Sequence, residues 1–264
     1  MKKATDQPLP DDHDSDVPPP PYAAPPYTAT DRPPPPSADA DPLVEPTIFL
    51  LAGQCVHAET SRSPAAYQLS RAVATLTPAT EKVTFERLDS TTGSQRPRPR
   101  HLYDLRHSPK LPRIGFARAD APPAYYIHAQ SPRRALGHVG LARHGSGGGL
   151  RAMPVLVTTS RARFAEDAPP VFALTRSGGR ARWVAGDGSD ETLAIEDAAD
   201  DQRRLILMKS LRRKEVDALV ALWCCSIWQE AAERAEEASK EMKGSSFLRK
   251  MNAGRGIYFG TDIY

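Results

Sequence analysis

Short apolar runs with an every-second-residue rhythm begin at Thr47 and recur for some 160 residues, each bounded by Gly, Pro, Ser or Asp. They are rich in the β-branched and aromatic residues that suit a pleated surface, where successive side chains point to opposite faces. In chain order they are TIFLLAG, QCVHAE, AYQLSRA, KVTFERL, RHLYDLRH, AYYIHAQ and LGHVGLAR. LRAMPVLVTTS, PVFALTR, RARWVAG, ETLAIED and QRRLILMK follow. KVTFERL is the clearest, with Val83 and Phe85 on one face and Lys82, Thr84 and Glu86 on the other. Ser177-Gly178-Gly179, Asp187-Gly188-Ser189 and the glycine-rich stretch from Gly145 to Gly149 carry hairpin chemistry. About twelve strands at even spacing predict a mainly β fold, a barrel or a sandwich. No repeat of roughly 20–50 residues is visible, which argues against a propeller or solenoid.

The pattern then changes. Val216 to Trp228 reads VDALVALWCCSIW, apolar on every helical face except at Asp217 and Ser226. A surface helix shows one apolar stripe, so a helix apolar all round is buried all round. Thirteen residues span roughly 20 Å, short of the ~30 Å hydrocarbon core of a membrane, and Lys214, Glu215 and Glu230 bracket the stretch. A chain of many strands can bury such a helix by wrapping a barrel around it. Beyond Trp228 the helix turns polar, with Glu230/Arg234 and Glu236/Lys240 at the four-residue spacing of solvated ion pairs, and it is expected to end near Gly244. The expected division is a barrel over residues 47–243, its central helix at about 211–243, and a flexible basic tail over 244–264.

Residues 1–46 differ in kind. They hold fourteen of the 26 prolines and set nine acids against only Lys2, Lys3 and Arg32. Such chain cannot bury enough apolar surface to offset its ordering entropy, so a disordered acidic leader is expected. Within it, Pro19-Pro20-Pro21-Tyr22 matches the Pro-Pro-x-Tyr pattern that WW domains read, with Pro19, Pro20 and Tyr22 as the contact residues. Ala24-Pro25-Pro26-Tyr27 lacks the first proline and is a weaker copy; Pro33 to Pro36 has no tyrosine and fits a spacer.

Past the leader the balance is basic. Arg96 to Arg134 contains nine bases against Asp104 and Asp120, interleaved with Tyr103, Phe116, Tyr125 and Tyr126. Arg96, Arg98, Arg113 and Arg118 are the candidates there for an anionic lipid surface. Arg212, Arg213 and Lys214 form a second cluster at the helix start, where bases oppose the helix dipole and an anion would relieve them. Ordinary solvated charge is the competing account, with Glu196, Asp197, Asp200 and Asp201 as local partners. Nucleic acid is disfavoured, since no reading motif is present.

The chemistry of catalysis is thin. The seven histidines have no metal-ligand spacing, and no cofactor is called for. Cys55 and His57 share a strand face, but a buried thiol beside a satisfied histidine is the more economical account. GSGGG lacks the lysine of a phosphate loop, DGSDE is too short for a calcium loop, and Cys224 and Cys225 belong to the helix core. No enzyme is expected. Three cysteines make no disulfide framework, and no signal peptide or myristoylation start is seen, so a cytoplasmic protein, peripheral at membranes, is expected.

The order of these elements, about twelve strands and then a hydrophobic C-terminal helix, resembles the tubby C-terminal-like barrel shared by tubby, LURP-one-related proteins and phospholipid scramblases. With its Pro-Tyr leader the chain is similar to fungal members of that superfamily over residues 47 to 240. The resemblance implies phosphoinositide-type anion binding, without a motif matched residue by residue. The expected function is a non-enzymatic adaptor, whose leader recruits a WW-domain protein such as a HECT ubiquitin ligase while the barrel meets anionic membrane lipid or cargo. A scramblase-like lipid-mover is the alternative, set back by the short helix with its cysteines inside. A viral matrix-type budding protein suits the leader but leaves the helix unexplained.

Overall fold

A computed structural model describes residues 41–59, 63–89, 97–108, 122–144, 148–158, 161–178, 180–198 and 202–254, with side chains to residue 242. The strands are β1 (Leu43–Val44), β2 (Ile48–Ala52), β3 (Cys55–Ala58), β4 (Ala65–Leu69), β5 (Lys82–Asp89), β6 (Arg98–His107), β7 (Tyr125–Ala129) and β8 (Val139–His144). They continue as β9 (Gly149–Val157), β10 (Ala162–Phe164), β11 (Phe172–Ser177), β12 (Arg180–Ala185), β13 (Thr192–Asp197), β14 (Arg203–Leu207) and β15 (Leu211–Arg212), and α1 (Arg213–Gly254) follows. Strands β2 to β9 pair in sequence, β9 pairs β11, β11 to β14 pair in sequence, and β14 returns to β2. The result is a closed antiparallel barrel of twelve strands. Each of the twelve runs quoted above supplies one of them.

The barrel is filled by the helix. Leu219, Val220, Ala221 and Leu222 follow one another around α1 in successive steps, and all four are 0 % exposed, as are Trp223 and Ile227. Cys224, Cys225 and Trp228 are likewise enclosed. The strands supply the other half of this core through alternate residues, among them Phe49, Val56, Val83, Phe85, Leu105, Leu174, Trp183 and Leu205. Tyr67 stacks on Phe85 at 5.0 Å between ring centroids, with Phe49 edge-on to Tyr67. Each large side chain so buried contributes about 1.5–3 kcal/mol, so neither the ring nor the helix holds its shape without the other.

Local chemistry sets the corners. Gly178 and Gly188 take left-handed backbone, φ 57° and 84°, in the β11–β12 and β12–β13 turns. In the latter, the Ser189 amide donates to Asp187 Oδ1 at 2.9 Å. Where β11 stops, β10 takes over the pairing with β9, and a second small cluster of Tyr126, Val155 and Ala162 forms there. Gly140 is required beneath it, because a Cβ would meet Val155 at 2.8 Å and Pro123 at 2.9 Å.

Three particulars differ from expectation. The barrel unit begins at Asp41 rather than Thr47, because β1 pairs with β15. The helix starts at Arg213 and runs past Gly244 to Gly254, so the first part of the expected tail is helical. Glu230 is not spent on a local pair with Arg234. It reaches Arg176 and Arg203 on the barrel, and Arg234 Nε donates instead to the Glu230 carbonyl. Among the described residues no helix is long and apolar enough to cross a membrane.

Candidate functional site: the two rims of the barrel

Alternating strand directions sort the polar residues to two ends. The front rim, where α1 begins, collects the end of β5, the start of β6, the turn after β7 and β15. Gln130 N donates to Leu102 O and Leu136 N to Tyr103 Oη, which holds the 131–136 turn beside β6. Arg98, Arg133, Arg134 and Arg212 are exposed there. The first basic segment and the second, far apart in sequence, thus reach the same rim.

Asp217 and Asp89 at this rim are already engaged. Asp217, fully buried at the start of the second turn of α1, accepts from Tyr67 Oη at 2.8 Å and Arg87 Nη1 at 2.5 Å. Arg87 Nε bonds Asp89 Oδ1 at 2.7 Å, and Arg100 Nη2 reaches Asp89 Oδ2 at 3.1 Å. Burial pushes Asp217 up to about 6, with Arg87 and Arg213 pulling the other way. Burial, then the Asp217 charge, holds the Tyr67 phenol well above its usual range. The helix N-terminus is served by the chain itself: Lys214 N donates to Asp41 Oδ1 at 3.2 Å, and Arg212 N to Glu215 Oε2 at 2.9 Å. Carboxylates of the chain thus cap the backbone amides at the helix start, while the Arg212 side chain is not paired by them. Arg98, Arg133, Arg134 and Arg212 make no ion pair among the described residues.

The rear rim, where α1 emerges, is built differently. Arg143 pairs with Glu233 and Arg176 with Glu230, while Arg203 Nη2 reaches Glu230 at 3.1 Å. Beside them lies a cleft of about 290 Å³ lined by Arg176, Arg180, Glu196, Arg203, Trp223 and Glu230. Glu196 Oε1 accepts from Trp183 Nε1 at 2.8 Å. Burial pushes Glu196 up to about 7, reinforced by Glu230 and opposed by that bond, Arg176 and Arg203.

No family model, curated protein or solved structure matches the chain. Its chemistry rests on its own residues.

Among the sequence candidates, Pro19, Pro20, Tyr22, Arg96, Arg113 and Arg118 lie outside the described residues. Arg98 starts β6 and Arg212, Arg213 and Lys214 lie where α1 begins, so all four are at the front rim. Glu196 and Asp197 do not pair with the helix-start bases; they sit at the opposite rim, Asp197 3.9 Å from Arg204. Asp200 and Asp201 lie outside the described residues. His57 Nδ1 lies 2.7 Å from the Ser63 carbonyl, and a bulge interrupts the strand between Val56 and His57. Burial raises both helix thiols far above the reactive range. Among the described residues no group of three or more His, Cys, Asp or Glu is placed to hold a metal ion.

Two groupings were not legible in the chain. One is the rear cleft, whose charges come from four strands and the helix. The other is Asp104 on the outer wall, 2 % exposed and ringed by Lys82 at 3.0 Å, His101 at 3.0 Å and Arg106 at 3.2 Å. Burial works against its charge, but Lys82 and Arg106 outweigh it and hold the carboxyl low. Next to it His128 and His138 stack at 4.5 Å, both held below the usual imidazole value by burial first. Strand register explains this cluster, since Asp104 faces Thr84 and His128 on its two neighbours. It reads as a sealed wall.

Proposed function

We propose that the protein is a non-enzymatic adaptor: its proline-rich leader recruits a WW-domain protein, and the front rim of its barrel meets an anionic membrane surface. One observation carries the second half. Arg98, Arg133, Arg134 and Arg212 arrive at one rim from separate parts of the chain, and the acids nearby are already paired with other groups. Unneutralised bases on a single face are what an anionic headgroup layer attracts, at about 1 kcal/mol per base near the surface. Leu136, 36 % exposed beside Arg133 and Arg134, adds an apolar contact at the same turn. The first half rests on Pro19-Pro20-Pro21-Tyr22, and HECT ubiquitin ligases are a partner class that carries WW domains. The barrel with an enclosed helix is in keeping with the tubby-like resemblance, whose members bind anionic lipid.

Two measurements test the reading separately. A peptide of residues 17–28 should bind an isolated WW domain, with Tyr22→Ala abolishing binding and Tyr27→Ala changing it little; equal losses reject Tyr22 as the anchor. Full-length protein should sediment with vesicles containing phosphatidylserine and not with neutral ones. Replacing Arg98, Arg133, Arg134 and Arg212 by Ala should remove that binding, as should added salt. Unchanged sedimentation of the quadruple variant would refute the front rim as the membrane face.

A further inference from the structure

The rear cleft has no part in that adaptor reading, yet it has the features of a built site. Guanidinium groups enter it from three strands: Arg176 on β11, Arg180 on β12 and Arg203 on β14. Arg176 and Arg203 are joined by a single carboxylate, that of Glu230 on α1. Arg180 makes no ion pair among the described residues. We propose that this cleft is a receptor for a small monocarboxylate ligand, bound by Arg180 with Arg176 and Arg203, and that Glu230 holds the place of the ligand carboxylate when the cleft is empty.

The class of ligand follows from charge, shape and wall. Facing Glu196 are Arg176, Arg180 and Arg203, the Trp183 indole N–H, Asp197 on its own strand and Glu230 on the helix. Glu196 holds its proton up to about neutral pH, because its burial outweighs the two arginines that act on it. The lining then sets three arginines against Glu230 and against Asp197, which Arg204 also meets, so the surplus is positive and attracts an anion. Guanidinium groups suit a carboxylate, and Glu230 already takes one contact from each of two, Arg176 Nη2 on Oε1 and Arg203 Nη2 on Oε2. Ala181 and Ala198 complete the accessible wall and leave an apolar side for an aliphatic or aromatic stem. At about 290 Å³ the space is that of a small molecule, at the lower bound of ordinary ligand sites.

Calorimetric titration of the full chain with benzoate and with hexanoate tests this, with benzyl alcohol and inorganic phosphate as controls. Both carboxylates should bind with millimolar-class affinity, and the controls should not. Arg180→Ala should weaken benzoate about tenfold with an unchanged melting temperature, since Arg180 has no structural partner to lose. Glu230→Gln should tighten it several-fold, because the internal competitor is gone; a purely structural Glu230 predicts no gain. Binding should weaken as pH rises through about 7, where Glu196 loses its proton beside the bound anion, and Glu196→Gln should flatten that dependence. Phosphate or benzyl alcohol binding as tightly as benzoate would overturn the proposal. So would unchanged affinity in Arg180→Ala, a variant that needs no rearrangement to fold.

Discussion

The two rims use the same residue types for opposite ends. At the front, Asp217 is drawn wholly inside and must be answered by Tyr67 and Arg87; at the rear, Glu230 and Glu233 stay near the surface and are met by Arg176, Arg203 and Arg143. A buried carboxylate left unpaired costs several kcal/mol, while an exposed pair is worth little, screened by water and salt. The front network therefore fixes where the helix starts, and the rear pairs can open at small cost. That difference suits a rear cleft whose internal carboxylate must give way.

The largest effect should come from the core both rims enclose. Leu222→Asp or Ile227→Asp puts an unpaired charge where exposure is 0 %, and no folded barrel should be recovered, by loss of the near-ultraviolet dichroism of the buried tryptophans. Cys224 and Cys225 of the native protein should resist thiol reagents until denaturant is added; prompt labelling would mean the helix is not enclosed.

Arg87→Met comes next. It leaves buried Asp217 with only the Tyr67 hydroxyl and should cost about 3–5 kcal/mol in urea unfolding, part of it recovered when Asp217→Leu is added. A small single-variant loss would erase the contrast between the rims. The corresponding change at the rear, Arg143→Ala, should cost no more than ~1 kcal/mol.

Glu196→Gln separates the rims by pH. A carboxyl whose folded value is raised from 4.5 to about 7 favours the folded state at low pH, and that benefit is lost as pH rises through this window. The variant should thus melt roughly 2–4 °C above the native protein at pH 8, a margin that shrinks through the window and is gone below about pH 4.5. The opposite trend would show that Glu196 is held as the anion. Smallest of all, Glu237→Ala on the emerged helix should move stability by less than about 0.5 kcal/mol.

The barrel was legible because its signals are local. Val83 and Phe85 alternate with polar neighbours, Gly178 and Gly188 mark their turns, and thirteen residues apolar all round announce an enclosed helix. β1, β10 and β15 are two or three residues long, too short for a period to show, and β1 hides among the acids after residue 40. Glu230 and Arg234 matched a local spacing, but two barrel arginines outcompeted it. The rear cleft needed residues 176, 180, 196, 203 and 230 together, and only strand register supplies that. Asp217 did leave a trace: a lone acid inside an apolar run calls for a partner, and Arg87 in KVTFERL was the one it found.

The helix that fills the ring is also the last described element to be made. During synthesis the twelve strands are complete at Leu207, yet the Asp217 carboxylate that Tyr67 bonds and the Trp228 ring that His107 and Tyr125 pack on do not yet exist. At roughly 5–20 residues per second, the nascent chain spends a second or more as a set of strands with an unfilled interior and exposed edges. In that interval it is a natural client for chaperones. A chain terminated before residue 213 would remain one, with every strand present and nothing to close around.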